Sequence, residues 1–211
     1  MQIEYEDDDI IVVHKPSGIL CVPSEDGVHS LVETIATYLN NNNNDTTTIE
    51  LTQNQMVIHR LGCATSGLIL YAKSLAGMRG MHTLFRTRKV TRQYTALVMG
   101  HVAAPTTTTT TTSSSSSSSG LLQWPLMRCW EHPPYMRVAT EDLQRHGLTL
   151  DPSIVGPALL EAPKASLTHY DVLERGWLDD SDTDNGLPVT RLRLTSMTGR
   201  THQLNVHCTL V

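Results

Sequence analysis

The segment Val57–Lys73 constrains this chain most. It reads Val-Ile-His-Arg-Leu-Gly-Cys-Ala-Thr-Ser-Gly-Leu-Ile-Leu-Tyr-Ala-Lys. An apolar pair leads into His59-Arg60-Leu61, a small polar turn runs from Gly62 to Gly67, and Leu68–Ala72 is then apolar without a break. A short apolar run bounded by turn residues predicts a buried strand. The His-Arg-Leu tripeptide therefore lies in or beside a loop at a strand's edge, where a rigid scaffold presents functional side chains. Taken alone, the segment is also a plain β-turn-β connection with a satisfied histidine and a surface arginine.

Other stretches fix the class. Ile10–Val13 is a β-branched run and predicts a strand after Met1–Tyr5, with a turn at Lys15-Pro16-Ser17-Gly18 and an extended Ile19–Pro23 beyond it. Leu31, Ile35 and Leu39 fall on one face of a helix over 29–39. A second helix is predicted over 74–88, with Leu75, Met78, His82 and Phe85 as its packing stripe. Strands are predicted at 89–98, 165–173 and 189–194. A helix is expected from Thr201, with that residue as N-cap. Single helices among more numerous strands predict an α+β fold built on a mainly antiparallel mixed sheet with a few flanking helices. The Asn and Thr tract at 40–48 and the Thr/Ser block at 105–120 are low-complexity insertions, an acidic hairpin loop spans 179–188, and 137–163 has no clear pattern.

Charge narrows the function. The net charge of −5 argues against an undirected nucleic-acid binder. Yet all 21 acidic residues lie outside Leu51–Trp130, and half of the 16 Lys and Arg lie inside it. Such segregation can build a local positive field for phosphate. Cys21, Cys63, Cys129 and Cys208 form no CxxC pair and read as reduced thiols, which excludes a zinc site and suggests an intracellular protein. No apolar run reaches a membrane-spanning length, and the N-terminus carries no secretory signal pattern.

Five stretches together resemble the RluA-type pseudouridine synthases. They are Asp9–Gly18, with its Lys-Pro-Ser-Gly turn; His59-Arg60-Leu61 with the following Thr65-Ser66-Gly67; Val90–Ala96; Pro163–Leu173; and Thr198-Gly199-Arg200-Thr201-His202-Gln203-Leu204. The Val22-Pro23 and Trp124-Pro125-Leu126 segments look closest to the branch that modifies both transfer and ribosomal RNA. The resemblance implies an isomerase that turns uridine into pseudouridine in tRNA or rRNA, as a monomer, without metal or cofactor. It implies that Tyr94 packs against the target uracil and assists proton transfer. Arg200 would hold the catalytic carboxylate or a phosphate, and Arg60 would fill the RNA stack where the uridine flips out. His59, Arg88, Lys89 and Arg92 would join Arg60 in binding RNA. Extruding a base and filling its gap is the physical requirement for chemistry on that base.

The chain departs from the family at three points. Gly62 stands at the catalytic position where the family carries its Asp. Asn205 replaces a usual Arg. The family domain runs on beyond the Thr-Gly-Arg motif, so 1–211 is expected to be a partial catalytic domain, incomplete at its C-terminal side. Beside the active enzyme, two other readings follow: a catalytically inactive RNA-binding relative, and a truncated product without stable function.

Overall fold

Ile11, Val13 and Lys15 alternate inward along one strand and set the first layer of the fold. In this computed structural model, residues 1–24, 26–42, 51–103, 118–179 and 186–211 are described. The chain divides into two units, Met1–Val90 and Thr91–Val211.

In the first unit, β1 (Gln2–Glu6), β2 (Ile10–Lys15) and β3 (Gly67–Ala72) form an antiparallel sheet in that order. The Asp7 carboxylate closes the first hairpin by accepting the Asp9 and Ile10 N–H groups, both at 2.8 Å. The register pairs Ile11 with Tyr71 and Val13 with Ile69, so buried residues face buried residues. Helix α1 (Leu31–Asn42) buries Leu31, Ile35 and Leu39 as its periodicity requires. Its first turn is capped by Glu33, which accepts from the Ser30 N–H at 2.7 Å. Helix α2 (Gln53–Met56) is an addition to the expected elements, with Gln55 reaching back to the Thr52 N–H at 2.9 Å. Helix α3 (Leu75–Arg86) starts at Ser74, whose hydroxyl accepts from Gly77 N–H at 2.9 Å. Gly77, costly by propensity, is explained by packing: a Cβ there would lie 2.2 Å from the Asp9 carbonyl oxygen. The predicted stripe of α3 needs one correction. His82 is exposed, and Met81 packs on the core beside Leu75, Met78 and Phe85.

The second unit holds an antiparallel sheet of β4 (Gln93–Met99), β9 (Leu187–Ser196), β8 (Thr168–Leu178) and β5 (Ser119–Leu122), in that spatial order. Val98, Leu122, Tyr170, Leu192 and Leu194 form its core. A two-stranded sheet pairs β6 (Leu126–Arg128) with β7 (Met136–Val138). The expected α+β fold with antiparallel sheets and few helices is what the structure has, its strands forming three antiparallel sheets among the described residues.

Four further expectations are corrected. The stretch 137–163 carries β7, α4 (Glu141–Gly147), α5 (Pro152–Val155) and a 3₁₀ turn at Pro157–Leu160. Thr140 and Asp151 cap its helices, accepting from Leu143 N–H and Ser153 N–H. Residues 89–92 are not strand: Arg88 turns to φ 58° and β4 begins at Gln93. Ile19–Pro23 forms only a bridge from Leu20 to Ser30. Helix α6 (Gln203–Cys208) is led by His202 at φ 51°, not capped by Thr201. Of the low-complexity tracts, Asn40–Asn42 end α1 and Ser119-Gly120 open β5; positions 43–48 and 105–117 lie outside the described residues, as do 180–185 of the acidic hairpin.

Candidate functional site

The turn after His59-Arg60-Leu61 is held by groups outside it. Lys15 is fully buried, and its ammonium donates to the carbonyls of Pro16 (2.9 Å), Ile19 (2.8 Å) and Cys63 (2.9 Å). All three of its N–H donors are thereby used on backbone oxygens. Gly18, at φ 86°, directs its N–H to Cys63 O at 2.9 Å, and the Ser17 hydroxyl donates to Ala64 O at 2.8 Å. Proline and glycine give Lys15–Gly18 the bend that lets these groups converge on one loop. The other side is fixed by Cys21, whose thiol donates to Leu61 O at 3.2 Å and whose sulfur accepts from Leu61 N–H at 3.3 Å. Tyr71, fully buried, donates from its hydroxyl to Cys21 O at 3.0 Å, and burial pushes its phenol well above the usual range.

Gly62 sits in the solvent at the first position of a β-turn, its carbonyl accepting from Thr65 N–H at 3.0 Å. Its φ lies outside the left-handed region, and a Cβ there would meet the Thr65 hydroxyl at 3.3 Å. The backbone therefore does not demand glycine. His59 accepts the Leu70 N–H on Nε2 at 3.1 Å and stacks on Phe85 with ring centroids 5.1 Å apart. That ring anchors the loop to β3 and α3. Arg60 is exposed and lines a cleft of about 680 Å³ with Val22, Gln53, Asn54 and Val57. Arg88 and Lys89 are exposed at the end of α3.

The turn Thr198–Arg200 of the second unit is held from within. Gln203 is buried and satisfies its whole amide. Its oxygen accepts from the Thr198 hydroxyl (2.7 Å) and the Arg200 N–H (3.1 Å). Its nitrogen donates to Leu167 O (2.9 Å) and the Thr168 hydroxyl (2.8 Å). Arg200 is half-buried, and its Nε donates to Ala165 O at 3.0 Å. Arg92 braces the same turn, donating from Nη2 to Thr198 O at 3.3 Å. Tyr94 lies half-buried on β4 opposite Leu194, packed on the core of its sheet. Desolvation pushes its phenol up, against the opposing charge of Arg92. Beneath the turn, fully buried His207 contacts the Ser166 and Thr168 hydroxyls, both at 2.9 Å. Burial lowers its pKa, against the Trp124 carbonyl contact, which raises it.

The predicted site residues thus divide between the units. His59, Arg60, Gly62, Arg88 and Lys89 belong to the first, Arg92, Tyr94 and Arg200 to the second. Sequence reasoning missed the residues that hold the two turns, Lys15, Cys21 and Gln203, and the buried His207 beneath the second. Lys15 and Gln203 stood inside the matched motifs, and the buried role of neither carries a sequence signal. Among the described residues, no three His, Cys, Asp or Glu side chains gather as metal ligands, and no helix is long and apolar enough to cross a membrane.

Comparison with known proteins extends over nearly the whole chain. The RNA pseudouridylate synthase family model matches residues 9–210. The dual-specificity RNA pseudouridine synthase RluA of Yersinia pestis is 31% identical over 98% of this chain and 75% of its own length. That of Vibrio vulnificus is 30% identical over 98% of this chain and 63% of its own length. That of Escherichia coli K12 is 31% identical over 97% and 69%. In fold, the chain is similar to human RNA Pseudouridylate Synthase Domain Containing 4, with a TM-score of 0.62 at 21% identity. It is likewise similar to Domain Containing 1, with 0.60 at 24%. The chain spans 64% of each of these two structures and is itself covered to 99%.

Proposed function

The chain belongs to the RNA pseudouridylate synthase family, and we propose that it acts inside the cell as an RNA pseudouridine synthase, isomerising uridine in tRNA or rRNA. The observation that supports this best is the build of the matched loop. A buried lysine, a serine hydroxyl and a thiol hold the backbone of 61–64, while Arg60 and position 62 are left facing solvent. In this reading Arg60 fills the RNA stack after the uridine leaves it. Tyr94 lies against the uracil, and Arg200 offers a guanidinium to a carboxylate or phosphate.

One observation favours a second reading. The family reaction needs a carboxylate acting on sugar or ring, and Gly62 supplies none. Loss of a nucleophile costs on the order of 10⁴–10⁶ in rate in other enzymes. The second reading is an RNA-binding relative that keeps Arg60 and Tyr94 without the isomerisation.

Pseudouridine mapping of tRNA and rRNA treated with this chain and with its Gly62→Asp variant separates the two. Pseudouridine formed by the unaltered chain supports the enzyme. Pseudouridine formed only by the variant supports the inactive relative. If neither forms it while RNA is bound, position 62 does not hold the catalytic place.

A further inference from the structure

Three cations from three stretches of the second unit line one small cleft. Arg128 ends β6. Lys164 precedes β8, where its backbone pairs with Leu126, N–H to O at 2.8 Å and O to N–H at 3.0 Å. Arg200 follows Gly199 in the turn already described. With Glu161 these side chains surround a space of about 160 Å³, enough for one phosphate group and too small for a nucleoside.

The cleft's electrostatics favour an anion. The Lys164 ammonium meets the Glu161 carboxylate at 2.6 Å. Lys164, by hydrogen bond and charge, and Arg128, by charge, hold the Glu161 carboxyl below its usual range against the desolvation that raises it. The carboxylate thus lies in the field of both cations. Three positive groups against one negative leave an excess of two. The ion pair is about half exposed on each side, and such pairs are weak and easily exchanged. Among the described residues, the Arg200 side chain has only its Nε committed, to Ala165 O, and its other donors suit a phosphate oxygen.

We propose that Arg128, Lys164 and Arg200 clamp a single phosphodiester of a bound RNA strand, and that Glu161 occupies the clamp in the free protein as a tethered anion that RNA displaces. The clamp rests on the RNA-binding reading above. A carboxylate held by the same lysine makes the empty clamp less attractive to small anions, and a polyanion anchored elsewhere overcomes it by local concentration.

The test is fluorescence anisotropy of a labelled tRNA transcript with the full chain across a range of salt concentrations. Arg128→Gln and Lys164→Gln are each expected to weaken binding about three- to tenfold. Each is expected to reduce the slope of log affinity against log salt by about 0.7–0.9, the value for one phosphate. Since both cations serve one phosphate, the double variant loses no more slope than either single one. Glu161→Gln tightens binding several-fold. The clamp is overturned if the single and double cation variants keep the unaltered slope, if the double variant loses twice the single slope, or if Glu161→Gln binds no tighter. Unaltered slopes with RNA still bound sink the clamp alone; no binding by the unaltered chain sinks the RNA-binding reading with it. Unchanged thermal melting of these exposed-site variants separates lost contacts from lost fold.

Discussion

The two motif turns are built in opposite ways. The backbone of 61–64 is gripped by groups that lie elsewhere in the sequence, chiefly Lys15, Ser17 and Cys21, and positions 62–64 stay in the solvent. Thr198–Arg200 is gripped through a side chain of its own motif, Gln203, with Thr198 itself buried. In the first turn, the group that would do chemistry is no part of the support. In the second, the presented arginine and the residue that supports it are coupled. A scaffold of the first kind survives the loss of its functional side chain, and the glycine at position 62 fits that design.

The strongest break of this contrast is Lys15→Met. It removes one ammonium, and with it a donor to three part-buried hydrogen bonds, of which the Cys63 carbonyl keeps the Gly18 N–H; an unsatisfied group costs roughly 1–3 kcal/mol. Water entry and relaxation recover part of that, so a loss of about 3–5 kcal/mol is expected for the first unit. Alkylation of Cys21, followed by mass spectrometry, reads it directly, because that thiol is 4% exposed and hydrogen-bonded to the same loop. Protection of Cys21 equal to that of the unaltered chain would show that Lys15 does not support the turn.

Gln203→Leu attacks the second turn. It keeps the volume and removes four hydrogen bonds, leaving the Arg200 N–H and two hydroxyls to rearrange. A loss of about 2–4 kcal/mol follows from the usual cost of buried orphaned groups. All three tryptophans, Trp124, Trp130 and Trp177, lie in this unit, so a urea titration followed by tryptophan fluorescence reports it. A midpoint within error of the unaltered chain would mean the amide is dispensable.

The layer beneath the second turn is expected to respond to pH through His207. The Ser166 hydroxyl spends its proton on the Trp124 carbonyl, so it accepts from His207 Nε2–H at 2.9 Å. Nδ1 is then the acceptor for the Thr168 hydroxyl at 2.9 Å. A second proton on the ring would meet a donor. The folded pKa lies below the ordinary value of 6.5, burial being the main cause. Below 6.5 the unfolded chain binds a proton that the folded chain does not, so stability is full above 6.5 and falls as pH drops through that value. Carboxylates such as Asp7, held down first by the Ile10 and Asp9 N–H groups, act in a lower window, below their ordinary 3.8. The tryptophan-monitored urea midpoint is expected to fall between pH 7 and pH 5, and less so in His207→Gln. A flat midpoint over that range would contradict the neutral assignment.

The sequence made some of this legible and hid the rest for physical reasons. β2 and β3 announced themselves because β-branched and apolar runs have few other uses. The helices α1 and α3 showed because each buries a stripe. The seven-residue α4 and four-residue α5 bury no residue. They carry only the start signals Thr140 and Asp151-Pro152, which a search for periodicity passes over. Strand pairing was hidden by distance: β4 pairs with β9, Gln93 opposite Thr195, and no local pattern records a partner so far away. At the site, the motifs located both turns, but lysine is almost always exposed, so nothing in Lys-Pro-Ser-Gly foretold that Lys15 is the buried post of the loop.

The smallest expected effect is the most informative about the contrast. Gly62→Asp places a carboxylate on a turn whose backbone already suits an L-residue. The new Cβ meets the Thr65 hydroxyl at 3.3 Å, a contact that a rotation of the threonine relieves. Asp is a favoured first residue of such a turn because its oxygen accepts nearby N–H groups. Replacing glycine also narrows the unfolded ensemble, a gain of about 0.4–1 kcal/mol. These terms offset the threonine's adjustment, and the net change in stability is expected within about 0.5 kcal/mol by urea denaturation. A loss above about 2 kcal/mol would show that the loop now depends on glycine, and the separation of support from chemistry in the first unit would fail with it.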